Sequence, residues 1–115
     1  MAVKVMTPAK GELNKITPVV FETAEDTTNG FQFALPRASD EYVVVLVHNT
    51  GSSAYNFTVK KPNKGSYFAS ASDEVYEVKG NELAVFRFES AKWANNDGTI
   101  TCIPGNVAVK AAVLY

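Results

Sequence analysis

The chain carries a single histidine, His48, and a single cysteine, Cys102. A Ser/His/Asp triad or a Cys/His dyad would therefore have to run through His48. No Gly-x-Ser-x-Gly turn is available to lift a serine above a strand end. His48 follows Val47 at the close of an apolar run, so a strand-end side chain beside the Asn49 turn is the simpler reading. Cys102 reads as a small buried hydrophobe that stays reduced. Acid–base chemistry has three carboxylate doublets to draw on: Glu25/Asp26, Asp40/Glu41 and Asp73/Glu74. A glycosidase holds two acids about 5–10 Å apart across a cleft, whereas neighbours on a strand point to opposite faces. The doublets therefore read as solvated charges of strand ends and loops. Hard oxygen ligands for calcium gather in Glu25–Asn29 and in Asn95-Asn96-Asp97-Gly98. Neither has the spacing of an EF-hand loop, and each makes a good turn without a metal. One histidine also excludes a multi-histidine centre. The expectation is no catalytic residue, no metal and no cofactor.

Other groups could bind rather than react. Lys60, Lys61 and Lys64 form the only basic cluster, and 11 Lys+Arg against 12 Asp+Glu give a net charge of −1. That balance supplies no general attraction to nucleic acid or an anionic membrane. Lysines at a strand end also discourage edge-to-edge pairing. Trp93, Tyr67 and Phe68 could stack on a sugar, although packing in the core or at a sheet rim is the expected place for each.

These side chains need a scaffold, and 115 residues suit one domain. No apolar run approaches the ~20 residues of a membrane helix, and one cysteine excludes an internal disulfide. The opening Met1–Pro8 stretch lacks the apolar centre of a secretory signal, which makes synthesis in the cytoplasm the expectation. Short apolar runs broken by turn residues about every ten positions predict an all-β chain. The predicted strands are Thr17–Glu22, Gly30–Leu35, Glu41–Asn49, Ala54–Lys61, Glu74–Val78, Glu82–Ser90, Thr99–Ile103 and Val107–Leu114. Phe31, Phe33 and Leu35 alternate onto one face, and Pro36 ends that strand. Tyr42 to Val47 is unbroken and valine-rich, as in a central strand covered on both faces. With Asn49-Thr50-Gly51-Ser52-Ser53 after it, the Glu41–Asn49 and Ala54–Lys61 strands read as an antiparallel hairpin. Tyr55, Phe57 and Val59 should point inward, as should Phe86 and Phe88, with Leu83, Val85 and Arg87 on the solvent side. Val107, Val109, Ala111 and Val113 should also face inward. Ser66–Ser72 is ambiguous between strand and loop. Pro8 and Gly11 argue against a helical turn in residues 5–14.

Seven to eight such strands predict a single-domain antiparallel β-sandwich, jelly-roll or Ig-like. The first sixteen residues hold Lys4, Lys10 and Lys15 against Glu12. They read as an N-terminal arm (1–16) on a sandwich domain (17–115).

Three segments together carry a resemblance: Val43–Val59 (VVVLVHNTGSSAYNFTV), Glu82–Trp93 (ELAVFRFESAKW) and Asp97-Gly98-Thr99-Ile100. The chain resembles small proteins encoded in the head-gene block of tailed bacteriophages and prophages over about 70 residues, from Val43 to Thr99 and a little beyond. In those proteins a strand ending in Asn-Thr-Gly-Ser-Ser leads into an alternating strand, and a strand ending in Glu-Ser-Ala, then Lys or Arg, then an aromatic residue precedes an Asp-Gly-Thr loop. The resemblance implies a non-enzymatic virion structural protein. Its most specific form is a capsid decoration (cement) protein on the outside of the head, bound to the major capsid protein or another virion protein, with a homo-trimer as an assembly the resemblance allows. The arm could then add a strand to a neighbour's sheet edge, with Val3, Lys4 and Val5 as its contacts and Trp93 as a further one. A carbohydrate- or surface-binding β-sandwich module is the alternative, and it would need an exposed Trp93.

Overall fold

The computed structural model describes residues 2–35, 43–65 and 67–115. Pro36, the Asp40/Glu41 doublet, the first residues of the Glu41–Asn49 strand and Ser66 lie outside the described residues. The described residues form β1 (Lys4–Val5), β2 (Phe31–Ala34), β3 (Val44–Asn49), β4 (Tyr55–Val59), β5 (Glu74–Val78), β6 (Leu83–Arg87), α1 (Ser90–Trp93), β7 (Thr99–Pro104) and β8 (Val109–Leu114). They make a β-sandwich. One sheet has the order β1-β2-β7-β4-β5 and the other β6-β3-β8. All pairings are antiparallel except β1 with β2.

The pairing has one underlying pattern. Glu22 pairs with Ala111, β2 with β7, β3 with β6 and β4 with β5, each antiparallel and each nested inside the one before. The chain is thus a long two-stranded ribbon, folded so that successive lengths alternate between the sheets. Contacts of β3 with β8 and of β4 with β7 close the wrap. This nesting is the jelly-roll order, which settles the choice the sequence left between jelly-roll and Ig-like sandwiches.

Alternation along the strands builds the core between the sheets. Phe31, Phe33, Ile100, Cys102, Phe57 and Val59 face it from the larger sheet, and Val45, Val47, Val109, Ala111 and Val113 from the smaller. Phe33 meets Phe88 edge-on with ring centroids 6.0 Å apart. Phe86 sits between Phe88 and Trp93 at 6.1 and 6.0 Å, but it remains partly exposed at the margin of the core. β3 is central in its sheet as expected. Its outer residues Val44, Leu46 and His48 are only half-buried, so one face is covered fully and the other in part. Val107 is 44% exposed rather than inward, because β8 begins only at Val109.

The predicted β3–β4 hairpin does not form. The two strands belong to different sheets, and Asn49-Thr50-Gly51-Ser52-Ser53 is the corner at which the ribbon changes sheet. Asn49 is completely buried there. Its amide nitrogen donates to the carbonyls of Ser53 and Val78 at 2.7 and 3.0 Å, and its Oδ1 accepts from the Gly51 N–H at 2.9 Å. The matching strand of the ribbon turns at Gly80, where a Cβ would stand 2.5 Å from the Ser52 carbonyl oxygen. At another corner Gly30 has φ +63, and a Cβ there would collide with the Cys102 carbonyl.

The N-terminal residues are stitched to the sandwich rather than free. Lys4 and Met6 donate to the carbonyls of Gly30 and Gln32, both at 2.9 Å, and the Met6 side chain enters the core. The chain then crosses to the other sheet. There Ala9 and Gly11 donate to Val113 and Tyr115 at 2.8 and 2.7 Å. Of the predicted Thr17–Glu22 strand only Glu22 makes a ladder contact. Pro18 has no N–H to give, and residues 12–16 and 18–20 stand in solvent.

Two measurements test this account. Asn49→Leu leaves the buried Val78 carbonyl without its partner, at about 1–3 kcal/mol, while the Ser53 carbonyl and Gly51 N–H, nearer the surface, can turn to water. A loss of about 1–3 kcal/mol is expected in urea unfolding, and a change within about 0.5 kcal/mol would contradict the assigned role. Deleting residues 1–16 removes Met6 from the core and should cost at least ~2 kcal/mol. An unchanged unfolding midpoint would show instead that this segment is a separable arm.

Candidate functional site

The reactive residue types are occupied with structure. Cys102 lies on the inner face of the larger sheet and is inaccessible. His48 lies on the outer face of the smaller sheet, its ring 5.8 Å from Phe21 in an edge contact. The β3 backbone and the core separate the two, so they form no dyad. Burial pushes the Cys102 thiol up to about 12, which leaves negligible thiolate at neutral pH.

Among the described carboxylates that suggested acid catalysis or calcium binding, Asp26, Asp73 and Asp97 are engaged in turns and loops. Asp26 accepts from the Asn29 and Thr28 N–H groups at 2.7 and 3.0 Å and from the Asn29 amide at 3.1 Å. These bonds, led by the Asn29 N–H, hold its carboxyl below the usual range. Asp97 is lowered in the same way by the Thr99 hydroxyl and N–H. Asp73 accepts from the Lys61 N–H at 2.8 Å and pairs with the Lys60 ammonium at 3.1 Å, and it too is lowered. This pair clips the two arms of the ribbon together at its tip. Glu25 accepts from the Ala2 N–H at 3.0 Å. No group of three or more metal-ligating side chains occurs among the described residues.

The residues expected to bind a partner divide. Val5 is 66% exposed on the edge strand β1, and Val3 is half-buried beside it. Lys4 reaches Glu22 at 3.8 Å. Trp93 is buried at 7% exposure, against Phe86 and beneath the Lys92 ammonium. The single helical turn α1 tucks it in, so it offers no stacking face. Tyr67 and Phe68, expected in the core or rim, instead project from the ribbon tip at 96% and 71% exposure. Their rings lie edge to face, 5.4 Å apart. Nothing in the loop's composition forecasts this. Ser66–Ser72 has apolar weight at only two positions, and its outcome depends on where the ribbon ends.

The second exposed apolar feature lies along one flank of the sandwich. β5 and β6 are the edge strands of their sheets on the same side, and between them opens a cleft of about 220 Å³. Phe57, Val59 and Val78 form one wall and Val47, Ala84, Val85 and Phe86 the other. The inward phase of β5 is Glu74-Tyr76-Val78, but only Val78 is covered. Tyr76 remains 49% exposed, its hydroxyl donating to Glu82 at 2.8 Å. That bond raises the Tyr76 pKa. Leu83 and Val85 are about 60% exposed on the outer face of β6. Exposed apolar surfaces of this kind, without a converging set of polar groups, suit protein contact better than small-molecule chemistry.

In comparisons with known proteins no family model matches the chain, and no curated protein or solved structure matches it.

The inertness of Cys102 is directly measurable. A thiol reagent such as DTNB should label the native protein at least a hundredfold more slowly than the urea-unfolded chain. Equal rates would place the thiol at the surface.

Proposed function

We propose that this chain is a non-enzymatic structural protein of a bacteriophage virion. In its most specific form it is a decoration protein that binds the major capsid protein on the outside of the head after synthesis in the host cytoplasm. The observation that carries the reading is the Tyr67/Phe68 pair, held in solvent at the end of a clipped ribbon. Exposed aromatic side chains are enriched among the residues that carry binding energy at protein interfaces. The β-sandwich and the commitment of Asp26, Asp73, Asp97 and Cys102 to the fold also support a binding rather than a catalytic role. The resemblance of Val43–Val59 and Glu82–Trp93 to head-gene products supplies the identity of the partner.

A carbohydrate-binding module is the second reading, favoured by the same two rings. With Trp93 buried, Tyr67 and Phe68 would have to be the stacking platform.

Quantitative mass spectrometry of virions from the strain that encodes the chain separates these readings. Decoration requires a copy number near that of the major head protein. A few copies per particle would move the protein to the tail or connector, and absence from particles would overturn the virion reading. Tyr67→Ser with Phe68→Ser should leave the fold intact and weaken particle binding at least tenfold. Retained binding would exclude the ribbon tip as the contact.

A further inference from the structure

The two flanks of the smaller sheet are complementary. One is the β6 flank, where the β5/β6 cleft opens. Glu74 lines it and Glu82 lies beside it on the Tyr76 hydroxyl, and the two strands and their turn also carry Glu77, Lys79 and Arg87, a net charge of −1. An acidic rim disfavours the simplest self-contact. Pairing β5 with its own copy would gather four glutamates on one seam, and like charges across strands repel. The cleft therefore suits a basic, apolar occupant.

The opposite flank presents one. Beyond β8, residues 12–20 form a lobe fixed at both ends, by Gly11 on the Tyr115 carbonyl at 2.7 Å and by the Glu22–Ala111 pair. The lobe shows Leu13 at 89%, Ile16 fully and Val20 at 72% exposure. Lys10 and Lys15 flank the first two, and only Glu12 opposes them, 3.3 Å from Lys15. Large aliphatic side chains are rarely left this bare on an anchored segment without a surface to meet.

We propose that the lobe of one copy seats in the β5/β6 cleft of the next, with Leu13 and Ile16 covering Phe57, Val78 and Phe86, and Lys10 and Lys15 against the glutamate rim. The two surfaces lie on opposite flanks of one sheet, so the contact is head-to-tail and leaves a free lobe and a free cleft at the ends. It builds rings or open chains rather than a closed pair. The contact is between copies of this chain and does not rest on the virion reading.

Sedimentation velocity over a concentration series tests it with two exposed-surface variants. One is Leu13→Glu with Ile16→Glu. The other is Tyr76→Glu with Val85→Glu, or Val85→Glu alone if the pair lowers the unfolding midpoint. The wild-type mass should rise with concentration and fall back toward the monomer as salt screens the rim. Each variant alone should weaken association at least tenfold. Mixed together they should form a one-to-one dimer and nothing larger, because one intact lobe and one intact cleft remain. A wild-type chain that is monomeric up to about 1 mM, the weak end of specific binding, would overturn the proposal. So would variants that associate like wild type, or a mixture that stays monomeric while the wild type associates.

Discussion

The buried amide of Asn49 is the interaction on which the arrangement depends. A ribbon that must pass from one sheet to the other has to break its ladder at the corner, and a broken ladder strands backbone donors and acceptors inside the protein. Asn49 meets the buried Val78 carbonyl of the far arm and, nearer the surface, the Ser53 carbonyl and Gly51 N–H, all from one side chain. Its amide offers two N–H donors and an acceptor at one end, whereas a hydroxyl has a single donor and a carboxylate none. Because it links both arms, β3 and β4 leave the corner in different sheets while their partners β6 and β5 do the same. Gly80 completes the corner by letting the second arm pass within touching distance of Ser52.

The other polar residues follow the same logic with smaller stakes. Asp26, Asp97 and Asp73 each close a turn or clip a loop through bonds to backbone N–H groups. Those bonds favour the charged carboxylate, which is why all three pKa values fall. A carboxylate held ionised by its own turn is a poor general acid, and its oxygens are already engaged. Cys102 is inert for the opposite reason, since burial penalises its charged form.

Edges explain where binding can occur. A jelly roll is not a closed barrel, and its unpaired strands must be protected or used. Here β8 is covered by the chain's own residues 9–11 and 22, whereas β5 and β6 are left open and carry charge along the rim. The apolar surface that remains is concentrated at the ribbon tip, the β5/β6 flank and the lobe. These are the parts of the molecule that a partner can reach without disturbing the core.

Much of this was legible in the residues. Alternation at Phe31/Phe33, Phe57/Val59 and Ile100/Cys102 determined strands and their inner faces, because period-two burial is a local property of extended chain. Seven of the eight expected strands, the solvent face of Leu83, Val85 and Arg87, and the structural roles of Cys102 and the acidic turns could be read in the same way. Pairing could not. Asn-Thr-Gly-Ser-Ser has the composition of a hairpin turn, and only the burial of Asn49 between the sheets makes it a corner. Nor could the sequence show that Met6 completes the core, that one helical turn hides Trp93, or that Tyr67 and Phe68 stand in solvent. Each depends on what lies opposite in space, and contacts across a sandwich join residues far apart in the chain. Local chemistry determined which segments are strands and which face is apolar; the wrap of the ribbon decided which apolar residues found cover and which remain for a partner.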